Sequence, residues 1–255
     1  MHQIEINAAT KSFTSRGRDI AALSETNLDI SRNETVCLVG PSGCGKTTLL
    51  NLIAGFVFPT EGSISVGGSP ITGPGSDRAV VFQEDAVFPW MTVQENIAFG
   101  PRSQHLPNAI VEERVQRFLE LVNLHDFRTA HPKELSGGMR KRVDIARAYA
   151  SEPDVLLLDE PFGALDHFTK EEMWMALREL KNIEPKTILF VTHDIEEALY
   201  MGDRVVVMTA RPARVHTIVE VPFGGERSLD LRASTTFQDL RLSITRSLME
   251  VNSVQ

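Results

Sequence analysis

Val36-Cys37-Leu38-Val39-Gly40-Pro41-Ser42-Gly43-Cys44-Gly45-Lys46-Thr47-Thr48 is the stretch that decides the fold. Four apolar residues in a row, Val36 to Val39, do not alternate with polar ones, which fits a strand buried on both faces. A glycine-rich turn follows, and then Leu49, Leu50, Leu52 and Ile53 recur at helical spacing up to Gly55. Gly40 to Thr47 matches G-x-x-x-x-G-K-[ST] set between a strand and a helix. Glycines let the backbone curl so that its N–H groups converge on an anion. The helix N-terminus adds partial positive charge. The segment therefore predicts a phosphate loop for ATP, made by Gly40, Pro41, Ser42, Gly43, Cys44, Gly45, Lys46, Thr47 and Thr48. Lys46 would set a cation on the β- and γ-phosphates, and Thr47 would offer its hydroxyl to Mg²⁺.

Three more unbroken apolar runs lie downstream, at Val155–Leu158, Ile188–Val191 and Val205–Met208, separated by helical patterns. That alternation predicts an open α/β fold with a parallel sheet. The run Val155–Leu158 ends in Asp159 and Glu160, at the sheet edge where such folds bind ligands. Asp159 is the expected Mg²⁺ carboxylate. Glu160 is the expected general base for a water in line with the γ-phosphate. Upstream, Ile4, Ile6 and Ala8, and again Leu28 and Ile30, alternate with polar residues, predicting short strands of a half-buried antiparallel sheet. Gly62–Gly75 reads as a hairpin of the same sheet. Thr92–Ala150 reads as mostly helical, with one stripe of Val111, Val115, Phe118, Leu119 and Val122. Met139, Val143, Ala146 and Ala150 make a second. Beyond Pro222 a loop precedes a helix expected from about Phe237, with Leu240, Ile244, Leu248 and Val251 facing its own core.

The 255 residues are 42% hydrophobic and carry a formal net charge of −8. Such an acidic chain is a poor candidate for nucleic-acid binding. No apolar run reaches the ~18 residues of a spanning helix, and Met1–Ile6 lacks the pattern of a secretory signal. The chain is expected to stay in the cytoplasm and to meet a membrane only through partners. Neither Cys37 nor Cys44 has a second Cys or His at ligand spacing.

Leu135-Ser136-Gly137-Gly138-Met139 resembles the signature motif of the ABC ATPase family. Ser136 can cap the following helix, and Gly137 and Gly138 leave backbone N–H groups open to phosphate. Other motifs of that family fall in order over about residues 2–220. Phe13 stands where an aromatic side chain stacks on adenine. Gln83 matches the glutamine loop that touches Mg²⁺ and the attacking water. Ala164-Leu165-Asp166 matches the loop that crosses the dimer interface, and His193 the switch histidine at the γ-phosphate.

The resemblance implies a P-loop NTPase core with a small antiparallel β-subdomain and an inserted helical subdomain. The ATPase domain would span 2–222, its helical part about 92–150, and a C-terminal extension 223–255. It implies a head-to-tail pair of ATPase subunits, identical or related. Each ATP would be held by the phosphate loop of one chain and by Ser136 and Gly138 of the other. It further implies integral membrane permease subunits at the cytoplasmic face, and indirectly a solute-binding protein. Gly73-Pro74-Gly75-Ser76-Asp77-Arg78, Pro89-Trp90, Pro161–Asp166 and Met208–Pro212 look like the nitrate, sulfonate and taurine importer branch. There Trp90 would lie near the surface that receives the permease. One departure is Arg140-Lys141-Arg142, where the family often has Arg-Gln-Arg; Lys141 is expected to add charge near the dimer interface. A soluble, non-transport ABC ATPase is the alternative. A single phosphate loop and the lack of sustained heptads argue against it.

Overall fold

The computed structural model describes residues 2–15 and 17–253; Met1 and the end of the C-terminal extension, Val254 and Gln255, lie outside them. The elements run β1 (His2–Ser15), β2 (Arg18–Ser31), β3 (Thr35–Val39), α1 (Lys46–Ala54), β4 (Glu61–Val66), β5 (Ser69–Pro70) and β6 (Arg78–Val81). They continue α2 (Val93–Ser103), α3 (Asn108–Leu121), α4 (Gly137–Ala150), β7 (Val155–Asp159) and α5 (His167–Ile183). The last are β8 (Thr187–Val191), α6 (Ile195–Met201), β9 (Arg204–Met208), β10 (Val215–Glu220) and α7 (Thr235–Ser253). The chain falls into two compact units: the stretches up to Gly75 and from Pro185 onward form one, and Ser76–Glu184 the other.

In the first unit, β3 lies between β8 and β9, parallel to both, with Val36 opposite Leu189 on one side and Arg204 on the other. Every residue of β3 and β8 is buried, which is why the two runs carry no polar alternation. β10 adds antiparallel to β9. Its Val215–Glu220 pattern, half-buried and exposed in turn, is that of an edge strand, too weakly apolar to stand out in the sequence. The second sheet has the order β2-β1-β4-β5. Its first two strands are 14 residues each, not the short strands expected. The reason is a pair of register shifts between Ile6 and Lys11, with Ala8 at φ 47. This bulge turns Ala9, rather than Ala8, into the core. In sequence it reads as the end of a strand. In the structure the strand bends and goes on.

α1 ends where expected. Gly55 takes φ 78, and a Cβ there would meet the Gly73 carbonyl oxygen at 2.2 Å, so only glycine fits. α7 packs on α6, β9 and β10, burying Phe237, Ile244 and Val251, as an ordinary amphipathic helix does. Between β10 and α7, Arg227 is buried and fixes the end of α6. Its Nη1 donates to the carbonyls of Leu199, Tyr200 and Gly202 at 2.8–2.9 Å. Nη2 donates to Phe223, Nε to Gly224, and the Tyr200 hydroxyl returns a 2.6 Å bond to the Arg227 carbonyl. A cation on the last carbonyls of a helix opposes its dipole and satisfies acceptors that would otherwise be orphaned. Arg227→Met is expected to cost about 3 kcal/mol of stability, since buried charge-assisted bonds are lost and several carbonyls are left unpaired. A denaturant melt checks it; an unchanged midpoint would show that water replaces the guanidinium at no cost.

In the second unit, β6 and β7 pair in parallel, Arg78 opposite Val155 through Val81 opposite Leu158. β6 was not foreseen as a strand of its own. α2, α3 and α4 pack on one another. α2 opens with a capping box: the Thr92 N–H donates to the Glu95 carboxylate at 2.8 Å, and the Glu95 N–H to the Thr92 hydroxyl at 3.4 Å. One turn on, the buried Asn96 side chain bonds the N–H and C=O of Phe88 and the C=O of Met91. This holds the segment on which Trp90 stands 70% exposed. Among the described residues no helix is long and apolar enough to cross a membrane.

Candidate active site

The first unit carries the phosphate loop. β3 delivers the chain to Gly40, and α1 begins at Lys46. Gly45 has φ 130, and a Cβ there would approach the Ala22 carbonyl oxygen to 2.8 Å. The loop can thus pass close to β2 only without a side chain at this point. Cys44 is buried beneath the loop, and its N–H bonds the Pro41 carbonyl at 3.3 Å. The Lys46 ammonium is almost fully buried and donates to the carbonyls of Gly40 at 2.9 Å and Pro41 at 3.0 Å. Ser42, Gly43 and Thr47 are exposed, and Thr48 is half-buried. Phe13 stands on β1, 40% exposed, with the Lys11 ammonium 5.0 Å from its ring centroid.

His193 lies exposed in the turn from β8 to α6. That turn is held on both sides. Asp194 caps α6, accepting from the N–H groups of Glu196 and Glu197. The Asp194 N–H donates to the Thr192 hydroxyl at 3.0 Å, and that hydroxyl donates to the buried carboxylate of Glu197. Glu197 escaped the sequence reading. The available signal was an acidic residue on the face of a short helix otherwise set inward by Ala198 and Leu199.

The second unit carries the carboxylates. β7 ends in Asp159, and Glu160 follows at φ 45, a left-handed conformation costly for a residue with a side chain. The Gly163 N–H closes the turn onto the Glu160 carbonyl at 3.1 Å. A Cβ on Gly163 would lie 3.6 Å from the Gln83 side-chain nitrogen and 3.7 Å from a Glu160 carboxylate oxygen. The Gln83 amide and the Glu160 carboxylate therefore come together over this glycine, from loops that follow different strands.

Ser136 caps α4, accepting from the Met139 N–H at 3.2 Å, with Gly137 and Gly138 in the first turn. Asp166 caps α5 in the same manner, and the Thr169 hydroxyl and N–H bonded to it hold its carboxyl below the usual range. The two helix starts are in contact. A Cβ on Gly138 would overlap the Thr169 methyl at 2.5 Å, and one on Gly137 would touch Leu165 at 3.7 Å. Ser136, Gly137 and Gly138 are thus brought together with Asp166, as Gln83 is with Glu160. Lys141 differs from expectation. Its side chain is buried and turns into the unit, onto the loop of Gln83, so it contributes no exposed charge.

Residues 23–163 match the family model described as ABC transporter. The chain is 46% identical over 207 residues to the taurine import ATP-binding protein TauB of Roseobacter denitrificans, covering 81% of this chain and 77% of that one. It is 39% identical over 252 residues to the aliphatic sulfonates import ATP-binding protein SsuB of Bacillus cereus, covering 99% and 98%. Among solved structures, the dimeric ATP-binding cassette MJ0796 bound to ADP and Pi in a post-hydrolysis state superposes with a TM-score of 0.75 at 30% identity, over 87% of this chain and all of that one. With a strand, phosphate loop and helix in one unit, and a carboxylate-ended strand and a capped Ser-Gly-Gly helix in the other, the chain belongs to the ABC transporter family, as an ATP-binding subunit that hydrolyses ATP.

Proposed function

We propose that this chain drives solute import, and that the solute is a small organic anion of the sulfonate or taurine type, or nitrate. The relatives named for taurine and aliphatic sulfonate import support the choice. Two such ATPase subunits would act as a pair at the cytoplasmic face of the membrane on integral permease subunits, with a solute-binding protein delivering the cargo.

The observation that carries the catalytic reading is the convergence of Gln83 and Glu160 over Gly163. Glu160 takes the proton of a water whose oxygen bonds to the γ-phosphorus, while the bond from that phosphorus to its bridging oxygen breaks and ADP departs with the electron pair. Gln83 orients that water. Lys46 and the loop N–H groups from Gly40 to Thr48 hold the phosphates, Phe13 stacks on adenine, and His193 contacts the γ-phosphate. Ser136, Gly137 and Gly138 meet the phosphate of the partner's nucleotide, with Asp166 beside them. The side chains of Thr47, Gln83 and Asp159 offer only hard oxygen donors, the set that suits Mg²⁺. When bound, the ion would neutralise charge on the phosphate oxygens.

Affinity capture of the tagged chain from solubilised membranes tests the reading. Recovery of an integral membrane protein, with ATPase activity in the captured material, is the expected result. Uptake assays with taurine, alkanesulfonates and nitrate then choose the solute. Capture of soluble protein alone would leave the ATPase standing and remove the importer.

A further inference from the structure

The helix that begins with the Ser136-Gly137-Gly138 turn also grips the loop that carries Gln83. Lys141, one turn into α4, is 2% exposed. Its ammonium donates to the carbonyl oxygens of Phe82 at 3.1 Å and Gln83 at 3.2 Å, and lies 3.3 Å from the Asp85 carboxylate and 3.9 Å from that of Asp144. Neighbours on the same helix add to the grip. Arg140 bonds Asp85 at 2.9 Å, and Arg147 bonds the Ala86 carbonyl at 2.6 Å while pairing with the fully buried Asp144. The segment 82–86 is a loop that follows β6, exposed at residues 82–85. Its backbone position is set from α4.

We propose that Lys141 is a positioning residue for hydrolysis: it fixes the backbone of Gln83, and through it the aim of the amide at the attacking water, and it ties that aim to the helix whose N-terminus meets the partner's nucleotide. This rests on the role given to Gln83 above. Two carbonyls and two carboxylates face the buried ammonium, so a substitution that removes it releases the loop. An isosteric neutral side chain would let 82–86 drift by an ångström or so, enough to misplace a catalytic amide while the phosphate loop is untouched.

The test uses the full chain, with K141M, K141Q, Q83A and the K141M/Q83A double variant. In K141M, kcat is expected to fall about tenfold and the Mg²⁺ concentration for half-maximal rate to rise several-fold, while KM for ATP stays within about twofold. Amide hydrogen exchange should quicken at 82–86 and remain slow along α4. K141M/Q83A should be no slower than Q83A, because both changes remove one function. K141Q keeps a donor for the carbonyls and should fall between the parent and K141M. Multiplying effects of K141M and Q83A, or parental turnover in K141M beside a slow Q83A, would overturn the inference alone. Parental turnover in Q83A would remove the role of Gln83 and the inference with it. Should K141M fail to fold, K141Q decides: parental exchange and parental kcat there would assign Lys141 to folding only.

Discussion

Glu160→Gln is expected to bind ATP about as tightly as the parent chain and to hydrolyse it more slowly by a factor of about 10²–10⁴, the span general-base catalysis contributes. The substitution keeps the shape and one oxygen of the side chain and removes its capacity to take a proton. Nothing in the phosphate loop changes, so affinity has no reason to fall. The turn itself should hold, because its closing bond runs from the Gly163 N–H to the main-chain carbonyl of residue 160. The positive φ at Glu160 makes glutamine no more strained than glutamate. With turnover blocked and ATP bound, two chains should remain paired, visible as an ATP-dependent dimer by light scattering. Steady-state hydrolysis at the parental rate would remove Glu160 from the chemistry.

Lys46→Ala has the opposite signature. The ammonium is the cation of the loop, and its bonds to Gly40 and Pro41 hold it over the turn. Its loss would remove the charge-assisted bonds proposed to phosphate oxygens as well as those to the two carbonyls. ATP affinity is expected to drop by about two orders of magnitude, close to 3 kcal/mol. Titration calorimetry with a nonhydrolysable nucleotide measures this, and circular dichroism guards against simple unfolding. Undiminished binding would mean that the glycine-rich loop is not the phosphate site. Together the two variants separate holding the nucleotide from cleaving it.

The local structure on which the proposed chemistry rests was legible where it depends on contiguous residues. The phosphate loop, the Asp159-Glu160 strand end and the Ser136 cap each lie within a short window, and local geometry follows from residue type. The continuous apolar run of β3 announced a strand with neighbours on both sides. Other features depend on residues far apart in the chain. Nothing local says that the Lys141 ammonium ends 58 positions away on the Gln83 carbonyl, so a buried tether reads as a surface charge. The long first hairpin was hidden because a bulge at Ala8 and Ala9 looks in sequence like a strand end. Glu160 gives no sign of its backbone strain, because glutamate is not a residue that marks turns. Arg227 lies in a stretch that reads as loop, and its partners Leu199, Tyr200 and Gly202 read as an ordinary helix end.

The Arg227 lock bears on where this chain can be cut. A protein ended at Pro222 would retain all the residues assigned to ATP, from Phe13 to His193, and by motif alone would pass for a minimal ATPase. It would also strip the guanidinium from the end of α6, expose the face of Tyr200 and Leu199, and loosen the short helix whose first turn, through Asp194 and Glu197, braces His193. The last thirty-odd residues thus serve as a remote buttress for the histidine turn, and a reporter or affinity handle is better placed after α7 than in place of it.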